Sequence, residues 1–443
     1  MYIKNIKLQN YRNYKSLDLT LGRKTTVLIG KNGVGKTNMI SAMKQALSFI
    51  FRREKGTPQY DFIASLDQTI RSFGDTDARY EITDRGVEYH YPVKSETTMS
   101  LLPIDHDGDM QDNPLCWEML RENYTKGIKE SYAKESNKFW QHFPNFENLP
   151  VIAFYSASFP HVTAVMGKKV KSMLDFGNAL PNNYGFYKWD DVRDCNPIWK
   201  EVFSIRWRNV LVNHNEGDVA YVNAVSNCLM EFSKPLDNSV ENKDIELREL
   251  TMKPLTKSGF EIVFDFANVG AMTFDSLPDG YGRIFSIVFD IANRSYSLNR
   301  HCNPEGIVFI DEIDTHLHPS FAQEILDRLR RSFPKLQFIV TTHSPLVLSN
   351  FKQDRDDNVV YNIYRDGENL PAVRKIEHSY GLDYNSLLTD LMGTTVRNSM
   401  LRQLIESYLY WKESEDDELM NSTLREIIDL VGEESRLINE LRR

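Results

Sequence analysis

Cysteine is scarce. Cys116, Cys195, Cys228 and Cys302 lie far apart with no C-x-x-C spacing, which excludes a disulfide scaffold and a four-thiolate zinc site and suits a reducing compartment. No apolar run approaches the roughly 18 residues of a membrane-spanning helix. The chain opens on an amphipathic strand, Met1 to Leu8, in place of a signal peptide, so a cytoplasmic protein with no membrane partner is expected. Long heptad runs are missing, which excludes a coiled-coil rod. Positive charge is in deficit. A net charge of −9 argues against a surface built wholesale for nucleic acid, but it leaves room for a local basic track. Candidate tracks are Lys4, Lys7, Arg12 and Lys15, then Arg52, Arg53 and Lys55, then Lys168, Lys169 and Lys171; each reads first as a solvated face. With 41% hydrophobic and 12% aromatic residues, 443 residues can bury a large core and make two or three domains.

What the chain does have is three apolar strands that each end in polar chemistry. The first, Thr25 to Ile29, runs into Gly30-Lys31-Asn32-Gly33-Val34-Gly35-Lys36-Thr37, a G-x-x-x-x-G-K-[ST] loop, and a helical pattern follows over Asn38 to Ile50. Glycines at 30, 33 and 35 let backbone N–H groups turn inward as a cradle for phosphates. Lys36 is placed to reach the β- and γ-phosphates of ATP, and Thr37 to offer its hydroxyl to Mg2+. The second strand, Gly306 to Ile310, ends in Asp311 and Glu312. Asp311 is expected to hold Mg2+, directly or through water, and Glu312 to orient or deprotonate the attacking water. The third, Phe338-Ile339-Val340-Thr341-Thr342, ends in His343, placed to sense the γ-phosphate. His316 and His318, two apart with no further Cys or His cluster, suit a loop better than a metal site.

These segments resemble the ABC-type ATPases of the SMC/RecF kind, which include recombination and chromosome-structure ATPases. The resemblance implies a P-loop head with a mixed sheet and flanking helices. It also implies that two heads pair as a homodimer with ATP between them, a signature segment of each capping the nucleotide of the other. Ser276-Leu277-Pro278-Asp279-Gly280-Tyr281-Gly282-Arg283, leading into a helix over Ile284 to Ala292, is the counterpart of that signature. Pro278 stands where the family has serine and Asp279 where it has glycine; Asp279 and Gly280 keep the capping role in this reading. Asp314 matches a loop that crosses the dimer interface. Asn10-Tyr11-Arg12-Asn13-Tyr14 resembles a turn whose arginine approaches nucleotide or DNA, which makes Arg12 a further candidate.

The head is expected from 1–51 and 265–370. Residues 52–264 read as a large α/β insertion interleaved with head strands, and 371–443 as a helical appendage. Residues 75–95 alternate as strands do, 115–145 read as helical and charged, Leu149 to Ser156 returns to a buried strand, and 197–230 read as helical. Tyr184 to Trp189 reads as aromatic core. No Toprim-like acidic strand pair and no HNH-like histidine motif is present, so ATPase chemistry without a nuclease of its own is expected.

The tail carries Gly381-Leu382-Asp383-Tyr384-Asn385-Ser386-Leu387-Leu388, then Leu391-Met392-Gly393 and Arg397. It resembles the ATPase subunit of the Septu antiphage system, also found with some retrons. That resemblance implies a separate HNH-type nuclease docked on the C-terminal region, even-numbered assemblies of heads, and nucleic acid as the nuclease's target. Leu387, Leu388, Leu391 and Met392 are candidates for the docking face. Two other readings stay open: the ATPase of a toxin-releasing defence pair, and a repair ATPase that binds DNA directly.

Overall fold

The computed structural model describes residues 1–64, 66, 70–105, 111–125, 129–130, 132–160, 172, 180–191, 195–236, 245–255, 259–382, 384–391, 399–433 and 435–441. Lys168, Lys169, Lys171, Asp383, Met392, Gly393 and Arg397 lie outside these residues.

The first strands are β1 (Tyr2–Tyr11), β2 (Tyr14–Thr20) and β3 (Thr25–Ile29), then β4 (Arg79–Thr83), β5 (Gly86–His90), β6 (Val93–Ser100), β7 (Leu115–Arg121) and β8 (Lys129–Glu130). There follow β9 (Val151–Tyr155), β10 (Leu247–Pro254), β11 (Phe260–Phe266), β12 (Gly270–Thr273), β13 (Gly306–Ile310), β14 (Leu336–Thr342), β15 (Asn358–Arg365) and β16 (Pro371–Ile376). The helices used below are α1 (Lys36–Leu47), α2 (Ala133–His142), α3 (Asn196–Asn213), α4 (Glu216–Ser233), α5 (Asp279–Asn299) and α6 (Pro319–Ser332).

The central sheet has the order β16-β15-β3-β14-β13-β9 and is parallel except for the edge pair β15–β16. Every residue of β3, β9, β13 and β14 is buried, as their continuous apolar runs require of strands covered on both faces. Register then decides the function. Ile29 pairs with Thr342, Val340 with Ile310, and Ile310 with Tyr155, so the chain leaves β3, β14, β13 and β9 along one edge of the sheet. Gly306 opens β13 against β9 so closely that a Cβ there would sit 1.9 Å from the Val151 carbonyl oxygen.

A second, antiparallel sheet runs β2-β1-β6-β7-β8. The helix expected over 115–145 is therefore in part a strand. Leu115, Trp117 and Met119 are buried while Cys116 is exposed, a period of two that a reading based on charge content overlooked. A helix, α2, begins only at Ala133. The helical stretch expected over 197–230 is two helices, broken where His214 takes a left-handed conformation and Asn215 caps α4. The signature helix is also longer than Ile284 to Ala292: α5 starts at Asp279, so the signature residues form its first turn. The carboxamide of Gln337 on β14, fully buried, ties the two sheets together. It accepts from the Ile3 N–H at 2.9 Å and donates to the carbonyls of Ile3 at 2.9 Å and Gly22 at 2.7 Å.

Two compact units result, Met1–Gly381 and Leu382–Arg443. β16 pairs with β15, so residues 371–376 belong to the head sheet and the appendage begins later than residue 371. The second unit contains α7 (Ser399–Glu413), α8 (Asp417–Val431) and α9 (Arg436–Leu441) around Ile405, Tyr408, Ile427, Ile438 and Leu441. Leu387 is fully buried, which removes it as a docking residue, and Leu388 is half-buried. Met400, Leu409, Tyr410, Leu419 and Leu430 are the exposed apolar residues of this unit among those described. No helix among the described residues is long and apolar enough to cross a membrane.

Asp290 is the polar anchor of the helical layer. Its carboxylate, 1% exposed, accepts from Tyr155 Oη at 2.7 Å, Trp199 Nε1 at 2.6 Å and the guanidinium of Arg294, joining β9, α3 and α5. Asp290→Ala leaves the buried Arg294 cation without its anion and is expected to cost ~3–5 kcal/mol. Urea denaturation followed by tryptophan fluorescence measures this.

Candidate active site

The loop between β3 and α1 takes its shape from glycine. Gly30 has φ +153° and would place a Cβ 2.2 Å from the Ile363 carbonyl oxygen, while Gly35 has φ +117° and would clash with Asn13. The turn between β1 and β2 braces this loop from outside. Asn13 donates to the Val34 carbonyl at 3.0 Å, and Tyr14 Oη donates to the Gly35 carbonyl at 3.1 Å. Arg12 pairs with Asp77 at 2.9 Å and donates to Asn38 Oδ1 at 3.0 Å, so its guanidinium supports the first turn of α1. Lys31, Asn32, Gly33 and Thr37 are exposed, and Val34 and Lys36 are buried. Arg365 closes the outer rim by donating to the Gly33 carbonyl at 3.1 Å.

Lys36 Nζ donates to the carbonyls of Gly30 at 2.6 Å and Lys31 at 3.0 Å, and lies 3.2 Å from His343 Nδ1. Burial pulls its pKa down to about 8, against the opposing pull of Asp311, Glu312 and Asp314. His343 is lowered too, first by burial and then by the Lys36 charge, which keeps the imidazole neutral at pH 7. A cationic lysine can only donate, so Nδ1 accepts and the ring proton sits on Nε2, 3.6 Å from Glu312 Oε1.

Asp311 is 5% exposed and joins the strands. It accepts from Thr37 Oγ1 at 3.0 Å and from Thr341 Oγ1 at 2.6 Å. Thr341 also accepts from the Glu312 N–H at 2.8 Å, so one hydroxyl fixes the Asp311 carboxylate and the Glu312 backbone together. Glu312 has φ +51°, a conformation that costs a non-glycine residue free energy and that clusters at functional sites. Thr315 Oγ1 holds the Glu312 carbonyl at 2.9 Å, and Thr342 Oγ1 donates to Asp314. The hydroxyl of Thr37 and the carboxylate of Asp311 present a hard-oxygen pair of the kind that takes Mg2+.

Lys36, Thr37, Asp311, Glu312 and His343 are thus brought together, from segments more than 300 residues apart at the extremes. Asp279 is exposed in the first turn of α5, and Gly280 is packed so that a Cβ would lie 2.3 Å from the His316 carbonyl oxygen. Among the described residues no hydrogen bond or ion pair joins Asp279 or Gly280 to the phosphate loop of the same chain. His318 caps α6 by accepting from the Ser320 N–H at 3.4 Å. Sequence reasoning overlooked Thr341, although a threonine pair ending an apolar strand is the signal for it. It also gave no role to Arg283, a cation that directly precedes the buried apolar residues Ile284 and Phe285.

Comparison with known proteins accords with this geometry. The AAA ATPase domain family matches residues 1–148, and the family described as "AAA domain, putative AbiEii toxin, Type IV TA system" matches residues 231–349. A Vibrio cholerae protein, "Retron Vc95 probable ATPase", is 23% identical over 394 residues, which are 80% of this chain and 72% of the relative. The "Septu protein PtuA" of Bacillus mycoides is 38% identical over 129 residues, 29% of this chain and 18% of the relative. The "DNA replication and repair protein RecF" of Clostridium tetani is 46% identical over 357 residues, 77% of this chain and 92% of the relative. The chain belongs to the ABC-type, SMC/RecF-like AAA ATPases. The loop that opens α1 lies within the matched residues 1–148, and ATP is the ligand the family binds.

Because only the charged form of Lys36 attracts phosphate, free head must take up a proton to bind once the pH exceeds about 8. ATP affinity of the head is therefore expected to be about tenfold weaker at pH 9 than at pH 7. Isothermal titration with a non-hydrolysable ATP analogue across that range measures it, and a flat profile overturns the assignment.

Proposed function

We propose that this ATPase is the nucleotide-dependent subunit of an antiphage defence complex, in which ATP-driven pairing of two heads regulates a separate HNH-type nuclease that degrades nucleic acid. The observation that carries the ATPase part is the convergence of Lys36, Thr37, Asp311, Glu312 and His343 on the phosphate loop. The retron and Septu relatives support the defence setting.

In this mechanism the N–H groups of 30–37 and the Lys36 ammonium hold the phosphate chain. Thr37 and Asp311 would hold Mg2+, which would supply charge neutralisation of the phosphates. Glu312 orients the attacking water and accepts its proton, while the neutral His343 donates Nε2–H toward the γ-phosphate. Asp279 and Gly280 of a second copy complete the site from the other side. Arg12 acts behind the loop, through Asn38. The C-terminal unit supplies the docking surface for the nuclease, through its exposed Met400, Leu409 and Tyr410 on α7 and Leu419 and Leu430 on α8.

The RecF relative favours a second reading, a repair ATPase that binds DNA directly. That reading predicts tight DNA binding by this chain alone, falling steeply with salt. A toxin-releasing pair with the same head is separated from the nuclease complex by the chemistry of the co-purifying protein.

Glu312→Gln is expected to trap ATP and stabilise the head dimer. Hydrolysis at the wild-type rate in that variant would rule out Glu312 as the residue that positions the water. Native mass spectrometry after co-expression with the neighbouring reading frame, with and without ATP, is expected to give an assembly holding an even number of heads and a nuclease. A partnerless chain that dimerises only with ATP would favour the repair reading.

A further inference from the structure

Arg283 stands at the end of the signature segment, and its surroundings are unusual for a cation. Its side chain is 1% exposed, yet no carboxylate lies within ion-pair distance among the described residues. Nη1 donates to the carbonyls of Ser156 at 3.0 Å, Ala157 at 3.0 Å and Phe159 at 2.6 Å. Nη2 donates to the carbonyls of Asp311 at 2.8 Å and Glu312 at 3.2 Å. The fork therefore grips two backbone turns at once, the exit of β9 and the exit of β13, while Nε is left without an acceptor.

Burying a cation without a paired anion is costly, and here burial lowers its pKa to about 10. Packing alone does not call for it. Ile284, Phe285, Ile287 and Val288, the neighbours on α5, are fully buried apolar residues, and a methionine would fill the same volume. What a guanidinium adds is directed donors that reach both turns. One of those turns is the strained one, where Glu312 sits at φ +51°. The start of α5 meets the same segment a second time, at Gly280 beneath the His316 carbonyl. The start of the signature helix is thus bonded to the 311–316 segment through Arg283 and packed closely against it at Gly280.

We propose that Arg283 is a positioning residue that couples the signature turn of a head to its own Glu312. When the first turn of α5 closes on the nucleotide of a second head, the guanidinium transmits that shift to the Asp311 and Glu312 backbone. Hydrolysis in one site then depends on what the same head is capping in the other. The inference rests on the paired-head reading above.

The test uses the whole chain. Arg283→Lys keeps the charge but cannot grip both turns, and Arg283→Met keeps the volume. ATP affinity, read with a fluorescent ATP analogue, is expected to stay within about twofold of wild type, while kcat falls at least about tenfold with KM unchanged. Arg283→Lys combined with Glu312→Gln is expected to dimerise with ATP as Glu312→Gln does, seen by sedimentation velocity. Wild-type kcat in Arg283→Lys overturns the proposal, as does loss of dimerisation in the double variant. A lowered melting temperature with unchanged turnover per folded molecule also overturns it, because the arginine is then structural. If Arg283→Met does not fold, Arg283→Lys carries the test alone. Glu312→Gln by itself separates the two levels. If it neither slows hydrolysis nor dimerises with ATP, the paired-head reading fails and the coupling fails with it; if it does both and the Arg283 variants turn over normally, only the coupling fails.

Discussion

The in-register parallel pairing of β3, β14, β13 and β9 is the constraint on which the site depends. Each strand is a short apolar run that belongs in a sheet covered on both faces, and each ends in a residue that does not belong in a core. Pairing them in parallel collects Gly30, His343, Asp311 and Ser156 along one edge, although Gly30 and His343 are far apart in the chain. A slip of one residue in any of these pairs would turn its side chains to the opposite face and break up the constellation.

The sheet alone does not hold the chemistry in place. Hydroxyls do much of the fine work: Thr341 fixes Asp311 and the Glu312 backbone, Thr315 holds the Glu312 carbonyl, and Thr37 reaches Asp311 from the helix. Tyr14, Asn13 and Arg12 support the phosphate loop from a neighbouring turn. The positive φ of Glu312 is tolerated because contacts on both sides of it fix the backbone. Burial lowers Lys36, and burial together with the Lys36 charge lowers His343, so that a neutral imidazole and a readily neutralised ammonium meet where a phosphate would compete for both.

Much of this is legible in the sequence, and the reason is locality. The phosphate loop, the acidic strand and the histidine strand each announce themselves through an apolar run ended by a specific polar pattern. What escaped was non-local. β7 looked like helix because its charged residues drew attention from the alternation of Leu115, Trp117 and Met119, whose burial comes from pairing with β6 across the intervening chain. The boundary at residue 371 was misplaced because β16 is an edge strand with little burial of its own, recognisable mainly by its partner β15. Arg283 could not be read as a clamp because its acceptors are main-chain carbonyls, which sequence does not distinguish. The turn that holds Arg12 points to a place near ligand, but Asp77, 65 residues further along the chain, engages its guanidinium.

Among the described residues, Ile405, Tyr408, Ile427, Ile438 and Leu441 of the C-terminal unit cluster in its interior, while Met400, Leu409, Tyr410, Leu419 and Leu430 remain at the surface. A unit that spans only Leu382–Arg443 leaves a narrow margin over chain entropy. A molecule that covers those surface residues stabilises the folded form of the unit in proportion to its concentration over its dissociation constant. Slowed amide exchange across α7 and α8 would then act as a reporter of occupancy, visible without any change in the head.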